Sequence, residues 1–555
     1  MARSKRRGAH LLVRRMVLLG TVFLATLIPL RGFFFGQLLG DIGDARWTVS
    51  LYEHWFRVFA GQEAPASTLF FFPTHDTLGY SDAFLAPGIV HAALRAFAVD
   101  PVTSWSIATC VLIFLGNLGL ALLATQVFKS LIVRIAFVMI AGTTYAFVSQ
   151  LAHVQTLGYA IVWWVLALFL YGRQGSSVAS RIAWFFMLPV LALGALTSWY
   201  PVFFFALIGA IALVLTFVFL RNGRWLLPPW RRARDLSWIG WGLSVGVTAA
   251  LGVVWLAIYG PAFSSLAKPW DVYLTYGPHV TDVVNVMGGS GLWWDIAHVL
   301  SPNLEPTSME HSLGITPALF VAFVVVCFSL TRKAIVKRRT APVSIGVAAA
   351  TVWATWLVVV IFGESGFSLF HFLWRFMPGA SSIRSGLRVN VILSVLVVLI
   401  VAYLIEKWVI ETKRKNTRRH VLRIVGAAAL LAMIFIEQQR VTPANWRPDD
   451  FVPVTLRAAQ AQLASSSCSS FLYVGSGSDQ IAPWSVAVDA TAIAVVTGMP
   501  TINGYSGNSP AGYPSVAAVE STAQAFIDWA AGQGVTETCL VTETRVRPIE
   551  VAAPG

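Results

Sequence analysis

The chain has 555 residues, of which 56% are hydrophobic and 12% charged, with 22 Trp and a formal net charge of +14. Soluble domains carry about 25% charged residues, so a surface that faces only water is excluded. A nucleic-acid face is also excluded, because that reading needs the basic residues clustered on one surface. Here most of the 40 Lys and Arg fall in the N-terminal tail and in every second connection between apolar runs.

Those runs have the roughly 20-residue length of a bilayer-crossing helix. In lipid, a helix satisfies its own backbone N–H and C=O groups. The sequence therefore predicts a polytopic α-helical membrane protein with about eleven spanning helices. They are placed at 16–30, 102–124, 131–148, 157–171, 182–199, 202–220, 238–259, 313–330, 343–362, 389–405 and 421–436. Residues 1–15 form a basic tail, 16–436 the bundle and 437–555 a small outer α/β domain. The positive-inside rule puts the basic side in the cytoplasm. With an odd number of spans, the C-terminal unit then lies outside. No small-residue cleavage site follows the first run, LIPLRGFFFG, so an uncleaved helix is expected rather than a signal peptide.

In chain order, the first outer loop, 31–101, holds the densest set of ionisable groups: Asp41, Asp44, Arg46, Glu53, His54 and Asp82 among them. Trp47, Leu51 and Trp55 mark one face of a helix over 45–59, of the kind that lies flat on a membrane. Acidic residues ahead of a helix cap its free N–H groups and suit its dipole. Capping accounts for one of Asp41 and Asp44, not for both, and not for Glu53 and His54. The short apolar segment 84–98, with Pro87, His91 and Arg95, reads as a partly buried or re-entrant helix.

Gln150, His153 and Gln155 fall between the third and fourth spans. They either line a cavity or fill a short exposed connection, and the second is the expectation. The outer loop 261–312 mixes aromatics with carboxylates, including Trp270, Asp282 and Glu310. Such a mixture suits either a sugar site or a Trp-anchored interfacial loop. In the outer segment 363–388, Arg384 and Arg388 stand four apart at the mouth of a span. Two planar forks on one face would clamp a phosphate; the plainer alternative is snorkelling.

In 437–555, short strands are expected at 471–474 and 539–542, helices at 484–496 and 515–531, and a Gly/Asn/Pro-rich loop at 500–514 carrying Tyr505. That loop either covers the site or is an ordinary surface loop. Cys468 and Cys539 share this unit, and an oxidising outer compartment would let them pair. Cys110 and Cys327 sit inside spans as small core residues. Phosphate-loop, zinc-finger, HExxH and GxSxG patterns are not found.

The stretches GDARWTVSLYEHWFRVFAG, FFFPTHDTLGYSD, MPGASSIRSGLR and PTINGYSG are similar to those of the GT-C glycosyltransferases, in particular to uncharacterised bacterial multi-pass members. The resemblance implies transfer of a sugar from a polyprenyl-phosphate donor to a glycan or lipid acceptor at the outer face of a bacterial plasma membrane. It also implies a first-loop acid as base or metal-site residue. Asp44 matches that position best, with Asp41 beside it. The family often has two adjacent acids where this chain has DIGD, so the choice between the two stays open. Arg46, Glu53, His54, Asp82, Arg384 and Arg388 are the candidate substrate-binding residues. Family members differ in metal dependence, so a divalent metal is an option, its ligands are unknown, and no other cofactor is implied. The alternatives are a transporter or flippase of a lipid-linked saccharide, whose charges should lie near the midplane of the spans, and a non-catalytic assembly protein.

Overall fold

The computed structural model describes residues 2–174, 177–220, 236–289, 291–337, 343–363, 365–412, 417–439, 445–475, 483–514 and 523–551. A helix lies over each of the eleven expected spans, beginning with α1 (Ala2–Leu27). Eight helical stretches, from 101–127 to 420–437, are long and apolar enough to cross a membrane. Pro317–Arg332 and Ile345–Val359 are apolar but shorter.

Two of the boundaries that differ from expectation shape the outer end. The expected span 182–199 stops at Ala195, and the next helix starts at Trp199. The turn between them receives the first loop: Phe84 N donates to Thr197 O (3.1 Å) and Leu85 N to Leu196 O (3.1 Å). The expected span 131–148 breaks after Gly142 and resumes at Tyr145. Gln438 repairs the break, its Oε1 accepting from Tyr145 N at 2.9 Å. Buried helix starts need partners for their free N–H groups, and two carboxylates supply them. Glu406 accepts from Lys129 N and Ser130 N at 2.9 and 2.5 Å. Glu437 accepts from Ala318 N and Leu319 N at 2.9 and 2.8 Å.

The segments expected outside meet at one end of the bundle. Helix α2 (Asp44–Phe59) buries Trp47, Leu51 and Trp55, sandwiched between α3 (Leu85–Ala96) and the helix Pro483–Thr497. The amphipathic face read in the sequence is thus covered by protein. Strand β1 (Leu38–Leu39) pairs antiparallel with β2 (Asn445–Trp446). Strand β3 (Phe471–Tyr473) runs parallel to β4 (Glu537–Val541), which pairs antiparallel with β5 (Val546–Glu550). Cys468 and Cys539 form a disulfide with Cα atoms 5.9 Å apart. Of the expected helix 515–531, residues 515–522 lie outside the described set, and the rest is Ala523–Gly532.

The C-terminal unit shares its core with the loop it covers. Trp47, Trp105, Trp446, Phe471 and Ile493 belong to one continuous buried cluster. Backbone bonds stitch the same two regions together: Thr501 N to Leu69 O (2.7 Å), Phe72 N to Thr501 O (3.0 Å) and Phe71 N to Asn503 O (3.1 Å).

Candidate active site

The DIGD turn divides labour between its two acids. Gly40 has φ +95°, and a Cβ there would lie 2.4 Å from that of Ala45, so only glycine fits. The chain thereby folds back, and Asp41 Oδ1 accepts from Ala45 N at 3.2 Å. Asp41 thus takes up a free N–H of the first turn of α2, whose N-cap position is Gly43. Asp44, the first residue of α2, is left with its carboxylate aimed elsewhere. Oδ2 takes a hydrogen bond from His153 Nδ1 at 2.6 Å, and Oδ1 takes one from the Tyr505 hydroxyl at 2.6 Å. The two carboxyls diverge in acidity. Burial, then the neighbouring Asp44 charge, pushes Asp41 up. Burial acts on Asp44 in the same sense, but His153, Tyr505 and Arg388 outweigh it and hold the carboxyl below its ordinary range. The positive end of α2 favours the same charge.

Across from this pair stands Glu310. Its Oε1 accepts from Arg384 Nη2 at 3.1 Å and Arg388 Nη2 at 2.8 Å. Burial would raise the Glu310 pKa; the charges of Arg388, His153 and Arg384 take it down to about 2. The arginines are not equivalent. Arg388 is 7% exposed and lies over the Tyr200 ring, whereas Arg384 is 41% exposed and lies over Tyr276. Only Arg384 presents an open fork. Half-buried Lys268 donates from Nζ to the Gly507 carbonyl. Burial, then the charge of Arg384, lowers its pKa, which places the two cations near each other. Glu310 Oε2 and Arg388 Nε are buried without a hydrogen-bond partner among the described residues. Buried polar atoms are normally satisfied, so these two remain available to a bound group.

Asp82 completes the cluster. Its Oδ1 accepts from Trp199 N at 2.8 Å. Burial pushes its pKa up to about 6 against the opposing pull of Trp199 N–H, Ser198 and Arg388.

The structure thus brings together Asp41, Asp44, Asp82, Arg384 and Arg388, and does not bring Arg46, Glu53 or His54 to them. Arg46 pairs with Asp489 and the Asp450 carbonyl. Glu53 binds His91 (2.9 Å) and Arg95 (2.9 Å) on α3. His54 binds Glu63 (3.0 Å) and the Pro65 carbonyl (3.1 Å). Through these contacts the three fasten α2 to its neighbours, away from the Asp44 cluster. Glu310, His153 and Tyr505 join the cluster from segments for which the sequence leaves a site role open, and Lys268 from a position it does not mark. His153 is expected in an exposed connection, yet its side chain is 19% exposed and faces Asp44. Nothing in the spacing of residues 44, 153, 310 and 505 signals that they meet.

Among the described residues, no group of three or more His, Cys, Asp or Glu side chains is arranged to hold a metal ion. Both Asp44 oxygens already accept hydrogen bonds.

No protein-family model and no curated protein sequence matches the chain. Solved membrane enzymes do resemble it. ArnT from Cupriavidus metallidurans bound to undecaprenyl phosphate matches with 14% identity and TM-score 0.35, over 89% of this chain and 85% of that one. The arabinofuranosyltransferase AftD from Mycobacteria matches with 16% identity and TM-score 0.41, over 83% and 29%. The oligosaccharyltransferase AglB from Archaeoglobus fulgidus, in complex with an inhibitory peptide and a dolichol-phosphate, matches with 11% identity and TM-score 0.46, over 95% and 69%. The chain is similar to these membrane glycosyltransferases, and at these scores the functional reading rests on the site itself.

Proposed function

We propose that the protein is a membrane glycosyltransferase that moves a sugar from a polyprenyl-phosphate donor to a hydroxyl of a glycan or lipid acceptor at the outer face of a bacterial plasma membrane. The observation that carries this is Asp44: an ionised carboxylate held from two sides, in one charged cluster with Arg384, at the end of an apolar bundle. A lipid-linked sugar presents its reacting carbon where lipid and water meet, and the end of an apolar bundle suits such a donor.

In this reading the acceptor hydroxyl approaches Asp44. As its oxygen bonds to the anomeric carbon, the bond from that carbon to the phosphate oxygen breaks, and the hydroxyl proton passes to the Asp44 carboxylate. The low pKa of Asp44 keeps it ionised at neutral pH and makes the proton transfer late, when the oxygen has become acidic. The polyprenyl phosphate departs with the bonding electrons. Arg384, with Lys268 beside it, stabilises that charge in a partly dehydrated site, where fixed cations count for most. Glu310 and Arg388 hold the Arg384 fork in place. The proposal includes a cytoplasmic N-terminus and an external C-terminal unit, in line with the basic connections and the Cys468–Cys539 disulfide.

The test is a transfer assay on the purified protein with a panel of polyprenyl-phosphate sugars, comparing wild type with Asp44→Asn. General-base help is worth roughly 10²–10⁴ in rate, and the variant should lose about that much while still inserting in membranes. An Asp44→Asn protein of full activity removes Asp44 from the mechanism. Movement of intact donor across a bilayer without transfer would instead identify a flippase.

A further inference from the structure

Asp44 meets a hydroxyl from 461 positions further along the chain. Tyr505 is not there by accident of a loose loop. On one side, Thr501 and Asn503 are bonded to Leu69, Phe71 and Phe72. Gly504 lies flat against Phe71, where a Cβ would come within 1.9 Å of the ring. On the other side, Ser506 Oγ and Asn508 Nδ2 donate to the Tyr80 carbonyl at 2.8 and 3.3 Å, and Lys268 holds Gly507. The ring itself stands edge-on to Trp47 with centroids 5.3 Å apart. The phenol is fixed from before, from behind and from beneath, and its one polar atom points at the carboxylate.

We propose that Tyr505 is a positioning residue for the transfer reaction, delivered by the C-terminal unit, and that its hydroxyl fixes the orientation of the Asp44 carboxylate. The inference rests on the reading of Asp44 as the base. His153, from the bundle, holds one oxygen; Tyr505 holds the other. A carboxylate bonded at one end only turns about its Cβ–Cγ bond. Bonded at both ends, it keeps one lone pair aimed at the place where an acceptor hydroxyl would enter. The other charged and titratable groups facing this pair are Asp41 on the same turn and Arg384 and Arg388 opposite.

The experiment compares wild type with Tyr505→Phe, which keeps the ring against Trp47 and removes only the hydroxyl. Donor KM should stay unchanged and kcat should fall about tenfold, within the range that small misplacement of a catalytic group causes. The Tyr505 hydrogen bond favours the charged form of Asp44. Losing it raises the Asp44 pKa, so the acidic limb of the pH–rate profile should move to higher pH. A general loss of folding would not move that limb. If kcat and the limb both match wild type, the proposal is overturned. A second measurement needs no turnover: 3-fluorotyrosine placed at position 505 should give a ¹⁹F resonance that differs between otherwise wild-type protein and Asp44→Asn. An identical resonance overturns the contact itself. If Asp44→Asn transfers sugar normally while the resonance does shift, the assignment of the base has failed and the contact stands.

Discussion

Replacing Glu310 by Gln should reveal how much one buried carboxylate contributes to holding the arginines together. Glu310 is 9% exposed at its side chain, and its carboxyl sits at about 2 instead of the ordinary 4.5. At about 1.4 kcal/mol per pKa unit, that difference corresponds to about 3 kcal/mol of preference for the charged form in the folded state. Removing the charge leaves Arg388 buried and unpaired, a situation that costs about 3–5 kcal/mol when one member of a buried pair is lost. The two routes agree on about 3 kcal/mol. The sign follows from linkage: a carboxyl with a depressed folded pKa stabilises fully above about pH 4.5, and the contribution disappears as pH falls toward about 2. Chemical unfolding of wild type and Glu310→Gln in the same mixed micelles at pH 7 is the assay. A difference under about 0.5 kcal/mol, the level of an ordinary surface substitution, would refute the argument that Glu310 anchors both guanidinium groups.

Arg384→Ala should raise donor KM about tenfold, the scale of a charge-assisted hydrogen bond, and leave acceptor KM alone; an unchanged donor KM would count against the exposed fork as the phosphate contact. Asp82 carries a raised pKa of about 6, so its charge opposes folding above that pH and the favourable neutral form is fully present below its unfolded value of about 4. Asp82→Asn should therefore stabilise the protein by about 1–2 kcal/mol at pH 8, after a discount for the partial exposure of the group, with the gain vanishing toward pH 4; equal unfolding at both pH values contradicts the assignment. Cys468→Ser opens a crosslink spanning 71 positions, and should lower the stability of the C-terminal unit by about 2–4 kcal/mol, read as faster proteolysis of that unit. Indifference of wild-type proteolysis to reductant would argue against the crosslink.

The helices were legible because their cause is local: apolar runs of bilayer length are visible residue by residue. The exceptions have long-range causes. The expected span 131–148 breaks at Thr143 because Gln438, nearly 300 positions later, can take the freed N–H of Tyr145. The site was half legible. Asp44 and the two arginines lie in segments with motifs, and the unusual presence of two acids ahead of one helix pointed to a spare carboxylate. The structure shows which one is spare: Asp41 takes up a first-turn N–H, Asp44 does not. Glu53 and His54 fall outside the Asp44 cluster, which the sequence does not signal: ionisable residues in one loop look alike until their partners are known, here His91, Arg95 and Glu63. His153 reads as part of an exposed connection because a lone polar residue between spans carries no period and no spacing. Glu310 was one acid among several in its loop, distinguished only by two arginines more than 70 positions away.

The pairing of Leu39 with Asn445 and the seat of Trp446 on the Leu39 carbonyl tie the start of the first loop to residues made 407 positions later. At roughly 5–20 residues per second, a ribosome needs on the order of 20–80 s to cover that distance. For all of that interval the face of α2 that the C-terminal unit will cover has no lid, and a greasy side chain such as Trp47, which ends against Tyr505, lacks that partner. The Asp44 carboxylate thus gains its second hydrogen-bond partner, Tyr505, only when the last fifth of the chain has emerged.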